Sequence, residues 1–196
     1  MITQPNLFDL PPETRPRDRP IMPPGFRHQD EVIDAAEERD LARRVEALPF
    51  KPFEFQGYVG NRRVASFGWR YDFARQVLEP AAPLPDFLMA LRTRIADFTG
   101  HDPEALQQAL VLEYTPGAGI GWHRDRPQYR DIVGLSLLAA CPFRLRRRTD
   151  EGWERATQRI APRSAYLLSG PARTDWEHSI PPLEALRYSV TFRTFR

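Results

Sequence analysis

Past residue 108 the chain breaks into five short runs: ALVLEYTPG, IVGLSLLAA, PFRLRRR, SAYLLSG and RYSVTFRTF. Each is rich in β-branched or aromatic residues, and Gly, Pro or Asp separates it from the next. Runs this short read as strands, because a helix needs a longer apolar stripe to hold it. Several in succession restrict the C-terminal half to an antiparallel sandwich or barrel.

The first half reads differently. DAAEERDLARRVEAL predicts a helix in which Asp34 caps the start and Glu37 completes a capping box. Leu41, Val45 and Leu48 form its apolar stripe. PDFLMALRTRIADFTG predicts a second helix, with Leu88, Leu91, Ile95 and Phe98 on one face and Gly100 suited to the C-terminal turn. Between them, FKPFEFQGYVGNRRVASFGWRYDF reads as strands or a hairpin. Residues 1–27 hold seven prolines and few paired apolar residues, so they read as an extended arm ahead of a domain spanning 28–196. The expected fold is α+β, two helices on a mostly antiparallel β-core.

Composition narrows the class of protein. No apolar run approaches the ~20 residues of a membrane span, and the N-terminus lacks a signal-peptide pattern. A single cysteine excludes a disulfide framework and a cysteine zinc cluster, and Cys141 in LLAACPF reads as a buried apolar residue. A cytoplasmic protein is expected, with its oligomeric state open. The net charge is +2, yet arginine greatly outnumbers lysine and RLRRR (Arg144 to Arg148) is the densest charge run. A solvated strand face, a GC-rich genome and a nucleic-acid contact all account for it.

Two of the four histidines lie among the predicted strands of the C-terminal half. In GIGWHRDRPQY, His123 and Asp125 are two residues apart, so an extended chain points both to one side. His178, in TDWEHSIPP, follows 55 residues later. Two histidines and a carboxylate are the ligand set of non-haem Fe(II), although a single histidine is more often a hydrogen-bonded structural residue. The last strand adds to this. Arg187, Ser189, Thr191 and Arg193 alternate with Tyr188, Val190 and Phe192. The apolar face can enter the core while two arginines, about 20 Å apart along the backbone, bracket a small dianion. An edge strand with solvated arginines would show the same alternation.

Taken together, EYTPGAGIGWHRD, SAYLLSGPARTDWEHSI and RYSVTFR resemble the AlkB family of Fe(II)- and 2-oxoglutarate-dependent dioxygenases. The resemblance covers residues 109–196 clearly and 30–108 more weakly. It implies a double-stranded β-helix (jelly-roll) core with two flanking N-terminal helices. It assigns His123, Asp125 and His178 to iron, and Tyr114, Arg187, Ser189 and Arg193 to 2-oxoglutarate. It also implies that O2 and the keto acid are consumed, giving succinate and carbon dioxide as a methyl group is hydroxylated. A methyl group on nitrogen would leave as formaldehyde. Leu112 and Ser189 stand where some members carry asparagine.

The implied substrate is alkylated DNA or RNA, with the damaged base flipped out of its stack. Residues 62–73 occupy the place of the family's nucleotide lid. There Trp69 and Tyr71 are candidates for stacking on a base, and Arg62 and Arg63 for holding phosphate. Those aromatics could equally be hairpin core. Pro127 stands where some repair members carry a second acid, which keeps a protein substrate open as an alternative. A noncatalytic nucleic-acid-binding β-domain is the alternative from a different class.

Overall fold

The computed structural model describes residues 22–55 and 58–196. The chain enters as strand β1 (Phe26–Gln29), then helix α1 (Ala35–Glu46), β2 (Lys51–Phe55), β3 (Tyr58–Phe67), β4 (Trp69–Asp72), β5 (Val77–Pro80) and helix α2 (Asp86–Thr99). The C-terminal half follows as β6 (Gln108–Tyr114), β7 (Ile120–His123), β8 (Tyr129–Leu137), β9 (Cys141–Thr149) and β10 (Gly152–Ile160). It ends with β11 (Ala165–Leu168), the short helix α3 (Gly170–Thr174), β12 (Glu177–Ile180) and β13 (Arg187–Phe195). The five runs read as strands are β6, β8, β9, β11 and β13.

Both helices form for the local reasons read in the sequence. The Asp34 carboxylate accepts from the Ala36 and Glu37 amides, and the Glu37 side chain returns to the Asp34 amide. α1 stops at Glu46, short of Leu48, because Pro49 disfavours helix in the residue before it. α2 ends on Gly100 in the left-handed region, φ 77°.

A seven-stranded sheet has the order β1-β11-β8-β13-β6-β3-β2, and a four-stranded sheet the order β10-β9-β12-β7. This is the double-stranded β-helix. β4 and β5 form a separate hairpin. One core lies between the helices and the outer face of the large sheet, where Val45, Leu88, Leu91 and Ile95 meet Val111, Leu135, Val190 and Phe192. A second core lies between the sheets and holds Phe143, Leu145, Ile160, Tyr166, Trp176 and Ile180. β13 sits at the centre of the large sheet between β6 and β8, so both its faces are buried. Tyr188, Val190 and Phe192 enter the helix-side core, and the alternate residues, the two arginines among them, face between the sheets. The solvated-edge reading of β13 is thereby excluded.

Two expectations change. Residues 22–27, read as the end of an arm, belong to the folded unit: Met22 and Phe26 pack on the inter-sheet core, and β1 pairs with β11. His28 is therefore a half-buried strand residue opposite Tyr166, with its pKa lowered by burial. Residues 1–21 of that arm lie outside the described residues. The 62–73 segment is not one lid. Residues 62–67 are part of β3 in the large sheet, and only 69–72 form a projecting strand. Gly68 joins the two at φ 73°, where a Cβ would lie 2.2 Å from the Gln107 carbonyl oxygen. Among the described residues no helix is long and apolar enough to cross a membrane.

Candidate metal centre and cosubstrate pocket

β7 and β12 pair so that His123 lies opposite His178, their ring centroids 4.2 Å apart. Asp125 follows β7 by two residues, and its Oδ1 lies 3.4 Å from His123 Nε2 and 3.8 Å from His178 Nε2. Ligand atoms of all three lie within 4.8 Å of one another. The His123 Nδ1–H donates to the Gly121 carbonyl at 2.9 Å, which leaves Nε2 its lone pair. Burial pushes the His178 pKa down to about 3, with help from His123, so the ring is neutral at pH 7. Phe143 stacks on that ring at 5.2 Å and 18°. Burial alone would raise the Asp125 pKa, but Arg193 and the two imidazoles hold it well below the usual carboxylate range. Two imidazoles and one carboxylate at this spacing fit a divalent iron.

Arg193 grips the far oxygen of Asp125, with Nε at 2.9 Å and a terminal nitrogen at 2.8 Å from Oδ2. Its other terminal nitrogen donates to Gln108 Oε1 at 3.2 Å, and its guanidinium lies over Tyr129. Sequence reasoning placed Arg193 on the cosubstrate. The structure pairs it with the candidate ligand Asp125, a contact that orients the carboxylate.

Arg187 is different. It is fully buried, and its Nε donates to Ser136 Oγ at 2.9 Å. Both terminal nitrogens are buried, with no hydrogen-bond partner among the described residues. Charged donors left unpaired in a protein interior are costly, so they imply a ligand with a matching anion. A carboxylate takes such a fork with two parallel hydrogen bonds. Tyr114 lies opposite Arg187 across β6 and β13, its ring 5.2 Å from the guanidinium, and Ser189 lies opposite Leu112 on the same inward face. Cys141 lies near enough to feel the Arg187 charge, but it is almost wholly buried and burial raises its pKa. An interior thiol, as read from the sequence, is what stands there.

The four candidate substrate residues divide. Arg62 and Arg63 point to opposite faces of β3. Arg62 faces inward opposite Tyr114, with its guanidinium 3.8 Å over the Phe53 ring and a buried Nε that has no partner among the described residues. Arg63 faces the helix side, where its fork holds buried Glu113 at 2.6 and 2.7 Å. A phosphate at Arg63 would have to displace that pair, so the two arginines do not form one phosphate clamp. The Trp69 ring packs edge-on against Phe195 at 5.7 Å, and Gln108 Nε2 donates to the Trp69 carbonyl. Tyr71 meets Arg126 from the His-x-Asp loop, 4.9 Å from its ring centroid.

Several residues escaped the sequence reading. Ser136 and Gln108, the partners of the two arginines, carry no signal in spacing. Arg173 is buried in α3 and donates to the carbonyls of Arg126 at 2.6 Å and Tyr129 at 2.9 Å, holding the loop that carries Asp125. Arg126 stood inside the GIGWHRDRPQY stretch but was given no part.

The family model of the 2OG-Fe(II) oxygenase superfamily matches residues 27–193, and the chain belongs to that superfamily. Within it, the chain is a member of the AlkB family, an enzyme using Fe(II), 2-oxoglutarate and O2. That membership removes the noncatalytic alternative. It is 27% identical over 210 residues to an "Alkylated DNA repair protein ALKBH8 homolog" of Arabidopsis thaliana, covering 90% of this chain and 58% of that protein. The chain thus spans little more than half of the plant relative. It is 30% identical over 173 residues to "Alpha-ketoglutarate-dependent dioxygenase alkB homolog 7, mitochondrial" of Mus musculus, covering 85% of this chain and 69% of the relative. The solved structure of OsALKBH1 matches with a TM-score of 0.68 at 16% identity, over 88% of this chain and 98% of that one, a likeness of fold.

Proposed function

We propose that the protein removes N-linked alkyl groups from bases of DNA or RNA, holding iron through His123, Asp125 and His178. In this reading the Arg187 fork takes the far carboxylate of 2-oxoglutarate, with Tyr114 and Ser189 lining the same pocket. Bound iron and the keto acid would supply the oxidising power, yielding succinate and carbon dioxide and releasing the alkyl carbon as an aldehyde. The chain's own contribution is position. Arg193 orients Asp125, Phe143 seats His178, and the inter-sheet core excludes water from the reacting groups.

The observation that carries the nucleic-acid reading is the contact of Tyr71 with Arg126. It sets an aromatic of the projecting hairpin beside the loop of the metal ligands, where an extruded base could stack. The name of the plant relative, a DNA repair protein, supports the same reading. The reaction would take place in the cytoplasm. The test is a panel of N-methylated DNA and RNA oligonucleotides beside methyl-lysine peptides, followed by succinate and formaldehyde release. Coupled turnover on an oligonucleotide is expected. Turnover confined to the peptides would overturn the nucleic-acid reading and point back to Pro127.

A further inference from the structure

The outer face of the four-stranded sheet carries a second feature, on the back of the strands that hold the histidines. Trp122 precedes His123 by one residue, so it points away from the metal centre. Along β9, Arg144, Arg146 and Arg148 share this outer face at a spacing of about 6.6 Å, while Leu145 between them enters the core. On β10, Trp153 lies opposite Arg148 and Arg155 opposite Arg146.

These side chains interleave. Arg144 lies 5.2 Å and Arg146 4.3 Å from the Trp122 ring, while Arg146 lies 4.3 Å and Arg148 5.6 Å from the Trp153 ring. The result is a ladder running Arg144, Trp122, Arg146, Trp153, Arg148. Contact with the indoles holds the guanidinium groups in a row across the sheet.

The charge is nearly uncompensated. Arg146 pairs with Glu177 at 2.7 Å. Among the described residues, Arg144, Arg148 and Arg155 have no carboxylate partner: Arg144 donates to Ser179 Oγ and Arg155 to the Trp153 carbonyl. Arg148 and Arg155 are exposed, as is the edge of Trp153 at 37%. A merely solvated face gains nothing from confining like charges in a row, since they repel.

We propose that this ladder is a docking surface for the phosphate backbone of a nucleic-acid strand, holding the polymer that flanks the base in the active site. The inference rests on the nucleic-acid reading above. Planar, pre-oriented guanidinium groups repeated along a line match the repeated phosphates of a polyanion, and the exposed indole edge offers a surface to an unstacked base.

The experiment measures fluorescence anisotropy of an unmethylated single-stranded RNA, and of the same sequence as DNA, between about 50 and 200 mM salt. In one triple variant Arg144, Arg148 and Arg155 become Gln; in a second the same three become Lys. The Gln variant is expected to bind at least about tenfold more weakly at low salt, with its log–log salt slope smaller by about 2. The Lys variant keeps its charge and should keep the slope, which a purely structural role for the arginines would not produce. Melting temperatures establish that both variants fold. A Gln variant with the affinity and slope of the parent overturns the ladder. So does a parent that binds polyglutamate more tightly than either oligonucleotide, which would make the face an acidic-protein site. Turnover of methylated oligonucleotides alongside an unaffected Gln variant would sink the ladder and leave the substrate reading standing. Binding lost in the Gln variant without turnover of any methylated oligonucleotide would do the reverse.

Discussion

The two ends of the inter-sheet space are built on different terms. At the cosubstrate end, Arg187 and Tyr114 come from central strands of the seven-stranded sheet and are buried. Ser136 fixes one nitrogen of Arg187, and the unpartnered donors are those a ligand would meet. At the proposed substrate end, Tyr71 belongs to a two-stranded hairpin held by ring contacts, the Gln108–Trp69 hydrogen bond and one loop arginine. The rigid end can specify one small dianion, because its geometry exists before binding. On the proposed function, reaction class is written in the buried strands and substrate choice in the hairpin.

Removing a candidate ligand tests the rigid end most severely. His178→Ala and Asp125→Ala should each abolish Fe(II)-dependent 2-oxoglutarate turnover, because each deletes one of three protein donors. Activity retained by either would remove that residue from the metal set, and calorimetric titration with Fe(II) separates lost binding from lost folding. Arg187→Lys should come next. It keeps the charge but not the fork, so the half-saturating 2-oxoglutarate concentration should rise roughly 10- to 100-fold. An unchanged value would mean that the unpaired nitrogens serve something else. Arg193→Leu should lower metal affinity by about 10- to 100-fold while leaving the Arg187 contact alone, as loss of a ligand's supporting partner does.

The hairpin end should give smaller and more selective effects. Tyr71→Ala is expected to cost an oligonucleotide substrate about 1–3 kcal/mol, while substrate-free consumption of 2-oxoglutarate continues. Equal loss of both activities would show that Tyr71 supports the metal loop rather than the base. Trp69→Ala should instead lower the melting temperature, since its ring is committed to Phe195. The mildest test sits on the far side of the sheet. Arg63→Met strands a buried Glu113 carboxylate and should destabilise the fold by about 1–3 kcal/mol. Its oligonucleotide binding should keep the parent's salt slope, whereas a phosphate contact at Arg63 would make that slope shallower.

The sequence was most informative where chemistry and periodicity coincide. The alternation of residues 187–193 separated two buried faces, and the capping box of Asp34 and Glu37 marked the start of α1. His-x-Asp and the distant His178 pointed to the metal set because few side-chain combinations serve Fe(II). What stayed hidden was pairing across long stretches of chain. Arg63 and Glu113 are 50 residues apart, and nothing local says that their strands lie side by side. Arg62 and Arg63, both candidates for phosphate, face opposite sides of β3 because neighbouring strand residues alternate. The folded start at residues 22–27 escaped for a similar reason. β1 is four residues long, and its evidence is main-chain pairing with a strand some 140 residues away.

One consequence follows from the grip of Arg193 on Asp125. A carboxylate can chelate an ion through both oxygens, and a chelating Asp125 would take up four positions of an octahedral shell together with the two histidines. With Oδ2 committed to two nitrogens of Arg193, only Oδ1 remains to be offered. The chain would then offer iron three donor atoms, leaving half of an octahedral sphere to the cosubstrates. Arg193 would thereby govern how many positions the protein leaves open, a quantity set from outside the ligand shell.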